Sequence, residues 1–145
     1  ILDDKPLVQH VVDASSKSSL LDSVYINSEG LVFEEIAESS GINFYHRPDE
    51  LASNSATNDD FVLDFINKID CDLLIQILPT SPFLNTEDID EFIQGMLQEK
   101  YDTYISVSNV QIECIFKDSP INFLQKEQTP PSQDLEPINQ YQLKT

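Results

Sequence analysis

The spacing of apolar residues changes several times along this chain, and each change marks an element. Leu7, Val8, Val11 and Val12 recur on one face of an α-helix. Pro6 can occupy the first turn, where its missing N–H costs nothing, so a helix is predicted from about Pro6 to Ser18. Val24, Tyr25 and Ile26 form a short β-prone run. Ser28 is placed to cap a second helix with Leu31, Val32, Ile36 and Ala37 on its apolar side, and Gly41 to end it in a left-handed conformation. Ile42 to Tyr45 reads as another strand. After a polar connection through Arg47 and Asn54, Asn58 starts a helix with Asp59 and Asp60 in its first turn and Lys68 near its negative end. That helix turns Phe61, Val62, Phe65, Ile66 and Ile69 toward the core.

The run from Leu73 to Leu78 is apolar almost without a break rather than alternating, which predicts a central strand covered on both faces. Asn85 or Thr86 can cap the next helix, since Glu87, Asp88 and Asp90 favour its positive end and Lys100 its negative end. Thr103 to Val107 supplies one more β-prone stretch. Strands alternating with helices through short connections predict an α/β fold, a mostly parallel sheet with helices on both faces in three α/β/α layers. No internal repeat interrupts this order. Beyond Ser108 the pattern weakens, and Gln128 to Pro137 carries three prolines without periodicity. The expectation is therefore a single domain over 1–145 whose stretch 126–145 is irregular.

A chain of 145 residues can bury one proper core. Its formal net charge of −18 argues against a nucleic-acid partner, because affinity for a polyphosphate backbone comes from clustered Lys and Arg. No apolar run approaches the roughly 18 residues that cross a bilayer, and no basic-then-apolar leader stands at Ile1, so a cytoplasmic protein without membrane contact is expected. Cys71 and Cys114 show neither metal-ligand spacing nor a C-x-x-C pattern and read as reduced, buried thiols. The clusters Glu34-Glu35, Asp59-Asp60 and Glu87-Asp88-Asp90-Glu91 read as solvated helix faces and first turns. His10 and His46 suggest no shared site, although His46 adjoins Arg47 and could reach the same crevice.

Arg47 is the only arginine in the chain and follows a predicted strand end, the side of an open α/β sheet that faces the ligand crevice. Its fixed fork of donors suits phosphate or ribose oxygens, with a structural salt bridge as the competing reading. Asn54-Ser55-Ala56-Thr57-Asn58 can be a polar helix cap satisfied by Asn58 alone, or a segment lying along a ligand.

Several short motifs, in order, resemble the sugar-activating cytidylyltransferases, the acylneuraminate (CMP-sialate synthetase) family in particular. Arg47-Pro48-Asp49-Glu50-Leu51-Ala52 is similar to that family's R-P-x-x-L-A segment, whose arginine lies at the CTP site. Asn54 to Asn58 falls where the family has an Asp-Thr-Ala-Ser-like segment along the nucleotide. Pro79-Thr80-Ser81-Pro82 matches the family's Q-P-T-S-P turn except that Leu78 replaces a glutamine that reads the sugar, and leucine makes no hydrogen bonds. Gln76 shares that face of a regular strand but stands about two residue rises further back. Ser132-Gln133-Asp134-Leu135 resembles R-Q-D-L with Ser132 for the arginine.

The resemblance runs from Lys5 to about Asp134 and implies the nucleotide-diphospho-sugar transferase fold, of Rossmann-like type. It implies transfer of CMP from CTP to a sugar acid, with release of pyrophosphate and with Mg²⁺ present, and it implies a homodimer. Arg47, Asn54, Ser55 and Asn58 are then the expected nucleotide contacts, and Thr80, Ser81 and Gln133 the acceptor contacts. No catalytic residue and no metal ligand is assigned. The family's basic, glycine-rich phosphate loop should lie immediately before Ile1, and its metal-binding aspartates lie near its C-terminal end, so this chain is expected to lack both parts. Two alternatives stand beside this reading: a catalytically inactive interaction module on the same scaffold, and a cytidylyltransferase for a sugar other than sialic acid.

Overall fold

The computed structural model describes residues 1–99, 101–124 and 131–140. Lys100, expected at a helix end, and half of the stretch expected to be irregular, 126–130 and 141–145, lie outside the described residues. The chain divides into two compact units, Ile1–Glu99 and Lys100–Thr145.

In the first unit, α1 (Leu7–Ser15) is followed by β1 (Tyr25–Ser28), α2 (Val32–Ser40) and β2 (Asn43–His46). β1 and β2 pair in parallel, with Ile26 opposite Phe44 and Asn27 opposite Tyr45. The pleat sends successive side chains to opposite faces. On one face Ile26 joins Val12 of α1 and Ala37 of α2 in a core cluster that also takes in Val8, Phe33, Ile36, Ile42 and Phe44. On the other, the Phe65 ring of α3 (Asn58–Ile66) lies edge-on to Tyr25 and Tyr45, with centroids 5.3 and 5.0 Å away. Helices therefore cover both faces of this small parallel pair. A second cluster joins Ala14 of α1 to Ile89 and Ile93 of α4 (Thr86–Gln98), with Leu21, Ile75, Ile77 and Leu84 packed against it.

The helix ends show which caps the sequence specifies. Pro6 is the N-cap of α1 rather than its first helical residue, and Gly41 closes α2 at φ 68° in the left-handed region, as expected. Ser28 does not cap α2. Its Oγ accepts from the Gly30 N–H instead, because α2 begins only at Val32, with Leu31 as a cap that offers no side-chain acceptor. Nor is Asn58 the cap of α3. Thr57 takes that place in a reciprocal capping box with Asp60, leaving Asn58 as the first helical residue. Asn85 caps α4 in the same way, paired with Asp88. Ile66, expected in the core, is 44% exposed, because α3 presents Phe65 to the sheet.

The larger correction concerns the sheet. Leu73–Leu78 forms no strand and joins no ladder, and Leu73 to Ile77 make no backbone–backbone hydrogen bond among the described residues. Apolar burial holds it through Ile75 and Ile77, while the intervening Leu74 and Gln76 are exposed. The expected central strand is thus half-buried and unpaired.

The second unit consists of small antiparallel pieces. β3 (Ser108–Val110) pairs with β6 (Ile138–Gln140), and β4 (Ile115–Phe116) with β5 (Ser119–Pro120) through a turn whose central residues Lys117 and Asp118 both have positive φ. The expected strand at Thr103–Val107 is not formed; pairing starts one residue later, at Ser108. Leu135 is the buried apolar centre. Asn122 ties the loops, accepting from the Cys114 N–H and donating to the Ile112 and Glu136 carbonyls. Cys71 is exposed in the first unit and Cys114 half-buried in the second, so neither is the fully buried thiol expected. No described helix is long and apolar enough to cross a membrane.

Candidate functional site

Arg47 follows the last residue of β2, and its backbone N–H donates to the Ser28 carbonyl at 3.0 Å, extending the ladder to the carboxyl end of both strands. The side chain is 16% exposed. Its Nη2 donates to Glu29 Oε2 at 2.5 Å, and its guanidinium carbon lies 5.1 Å from the centroid of the Phe61 ring in α3. Planar guanidinium over an aromatic face is a favourable arrangement that a lysine would not reproduce in the same way. The structural salt bridge, the competing reading, is thus formed by a residue that stands at the carboxyl end of the strand pair.

Glu29 stands in the loop that leaves β1. A hydrogen bond from its own backbone N–H and then the contact with Arg47 hold its carboxyl below the usual glutamate value, against a smaller opposing effect of burial. It is an anion wherever Arg47 would meet one. Sequence reasoning did not single out Glu29, which lies three residues past the predicted run Val24–Ile26 and 18 residues from Arg47.

Two buried side-chain atoms lack a hydrogen-bond partner among the described residues, Arg47 Nε and Asn27 Oδ1. Asn27 opposes Tyr45 in the register and Arg47 is two residues beyond Tyr45, so the pleat puts all three on the face covered by α3. An orphaned buried polar atom costs roughly 1–3 kcal/mol. One donor and one acceptor at the same end of the same strand pair are where an additional group would be stabilising.

Beneath them, Tyr45 donates to Asp64 Oδ2 at 2.6 Å and Lys68 donates to Asp64 Oδ1 at 2.7 Å. Burial and then the Asp64 contact push the Tyr45 phenol up, while Lys68 and then Tyr45 hold the Asp64 carboxyl down. This network locks α3 to β2 and fixes Phe61 against Arg47.

The remaining expected nucleotide contacts follow a short 3₁₀ turn at Asp49–Ala52. Asn54 and Ser55 are exposed, with Ser55 Oγ 3.1 Å from Ser53 Oγ. Asn58 is half-buried and its Oδ1 accepts from Gln76 Nε2 at 2.8 Å. That bond joins the start of α3 to the Leu73–Leu78 run. Two of the singled-out stretches therefore meet through Asn58 and Gln76. Thr80 and Ser81 are exposed in the turn that follows the run, closed by the Ser81 N–H donating to the Leu78 carbonyl. Gln133 belongs to the second unit, in a 3₁₀ turn at Ser132–Asp134, where its backbone carbonyl accepts from Gln111 Nε2.

His46 stacks on Phe44 and its Nε2 lies 3.2 Å from the Glu29 carbonyl oxygen, while His10 Nε2 lies 2.9 Å from the Leu2 carbonyl oxygen. Both imidazoles have local backbone partners. Among the described residues no three His, Cys, Asp or Glu side chains converge as a cation site.

Comparison with known proteins bears on all of these positions together. A family profile described as cytidylyltransferase matches residues 1–133. The chain is 31% identical over 110 residues to an N-acylneuraminate cytidylyltransferase of Escherichia coli, covering 74% of this chain and 26% of that protein. It is 27% identical over 115 residues to an N-acylneuraminate cytidylyltransferase of Streptococcus agalactiae, covering 76% and 27%. A 3-deoxy-manno-octulosonate cytidylyltransferase of Hydrogenovibrio crunogenus is 23% identical over 118 residues, covering 79% and 46%. The chain thus spans about a quarter of the length of the first two relatives and about half of the third.

Proposed function

The chain belongs to the cytidylyltransferase family, and from that premise we propose that it contributes the nucleotide-binding part of an enzyme that transfers CMP from CTP to a sugar acid and releases pyrophosphate. The observation that carries this reading is Arg47, the chain's only arginine, held at the carboxyl end of a parallel strand pair by Glu29 and Phe61. In open α/β sheets ligands bind at that end.

In the reaction a hydroxyl oxygen of the sugar acid attacks the α-phosphorus of CTP. The new P–O bond forms as the bond to the β-phosphate oxygen breaks, pyrophosphate leaves with the electron pair, and the hydroxyl proton passes to solvent or a base. Such a step asks for in-line positioning and stabilisation of charge more than for covalent chemistry. Arg47 binds oxyanion or ribose oxygens, and the exposed Asn54 and Ser55 with Asn58 line the nucleotide's path. Thr80 and Ser81, in the turn after the apolar run, and Gln133 contact the acceptor. Mg²⁺ would lend positive charge to the triphosphate, which a chain of net charge −18 otherwise supplies sparingly.

The fold under this reading is the three-layer nucleotide-diphospho-sugar transferase type, with 1–145 belonging to a single cytidylyltransferase domain. The enzyme is a cytoplasmic homodimer; the exposed Ile112, Ile115, Phe116, Ile121 and Leu124 of the second unit offer apolar surface for assembly. The sugar is sialic acid or a related acid. Leu78 and Ser132, which replace a hydrogen-bonding glutamine and an arginine in the family's motifs, favour either an acceptor other than ordinary sialic acid or a non-catalytic module.

The test is pyrophosphate release from CTP and Mg²⁺ by the full chain, with N-acetylneuraminate and 3-deoxy-manno-octulosonate offered in parallel. Release dependent on one acid and lost in Arg47→Ala supports the enzyme and names its acceptor. Calorimetric CTP binding without release under either acid supports the module instead, and absence of binding by folded protein overturns the nucleotide reading.

A further inference from the structure

We draw no further inference here: the strongest candidate, the exposed apolar patch of Ile112, Ile115, Phe116, Ile121 and Leu124 around the β4–β5 hairpin of the second unit, belongs to the homodimer already proposed, and nothing in the structure shows what covers it.

Discussion

The β1–β2 pair and the Leu73–Leu78 run belong to the same compact unit and both lie against helices, yet only the pair is hydrogen-bonded to a neighbouring strand. The pair is held twice, by its parallel ladder and by the aromatic contacts of Phe65 with Tyr25 and Tyr45. The run is held once, by alternate side chains, Ile75 and Ile77, resting on α1 and α4. Burial of an apolar face is enough to fix where a segment lies, but its backbone groups then depend on water unless a strand stands beside it. The expected functional residues divide along the same line. Arg47 sits at the end of the doubly held pair, while Thr80 and Ser81 follow the singly held run.

The contrast can be broken first on the side of the pair. Phe65→Ala removes a buried ring from the centre of two edge-on aromatic contacts and should cost about 3–5 kcal/mol by urea denaturation. Ile77→Ala, in the half-buried run, should cost about 1–2 kcal/mol in the same assay. Equal losses at the two positions would mean that the run is as firmly held as the pair. Thr57→Ala removes the side-chain acceptor of the α3 capping box and should cost about 1 kcal/mol, acting on Phe61 and Phe65 together through their helix.

Hydrogen exchange sharpens the comparison without mutation. The amides of Asn43 and Arg47, bonded to the Val24 and Ser28 carbonyls, should exchange at least about tenfold more slowly than those of Leu74 and Gln76. Similar rates would show that the run is paired in solution.

The smallest expected effect is one of pH. The Glu29 carboxyl lies below its usual value in the folded chain, so its contribution to stability is fully present above the unfolded value and is lost as pH falls through the folded one. Below about pH 4 the wild-type urea midpoint should fall more steeply than that of Glu29→Gln. Parallel acid limbs would remove Glu29 from the account of stability.

How much of this was legible in the sequence varied with the range of the interaction involved. Gly41 as a left-handed helix end and Asn85 as a cap are local chemistry, carried within one turn, and both hold. The capping role given to Asn58 moved one residue to Thr57, because the reciprocal partner Asp60 decides between adjacent candidates. That Leu73–Leu78 forms no strand was not legible. A continuous apolar run announces burial on two faces, whereas a ladder needs a neighbour at its edge, and composition says nothing of that neighbour. At the site, the importance of Arg47 could be read from its being the chain's only arginine and its place after a strand. Glu29 could not, because its contact with Arg47 spans 18 residues and exists only once β1 and β2 are in register.

The distribution of thiols has a practical consequence. Each compact unit contains one cysteine, Cys71 exposed in the first and Cys114 half-buried in the second. A maleimide dye added in limiting amount should react first with Cys71, leaving Cys114 for a second colour after mild denaturation and refolding. The sequence thus already carries a separate labelling position on each unit, so that the unfolding of one can be followed apart from the other with no engineered residue at all.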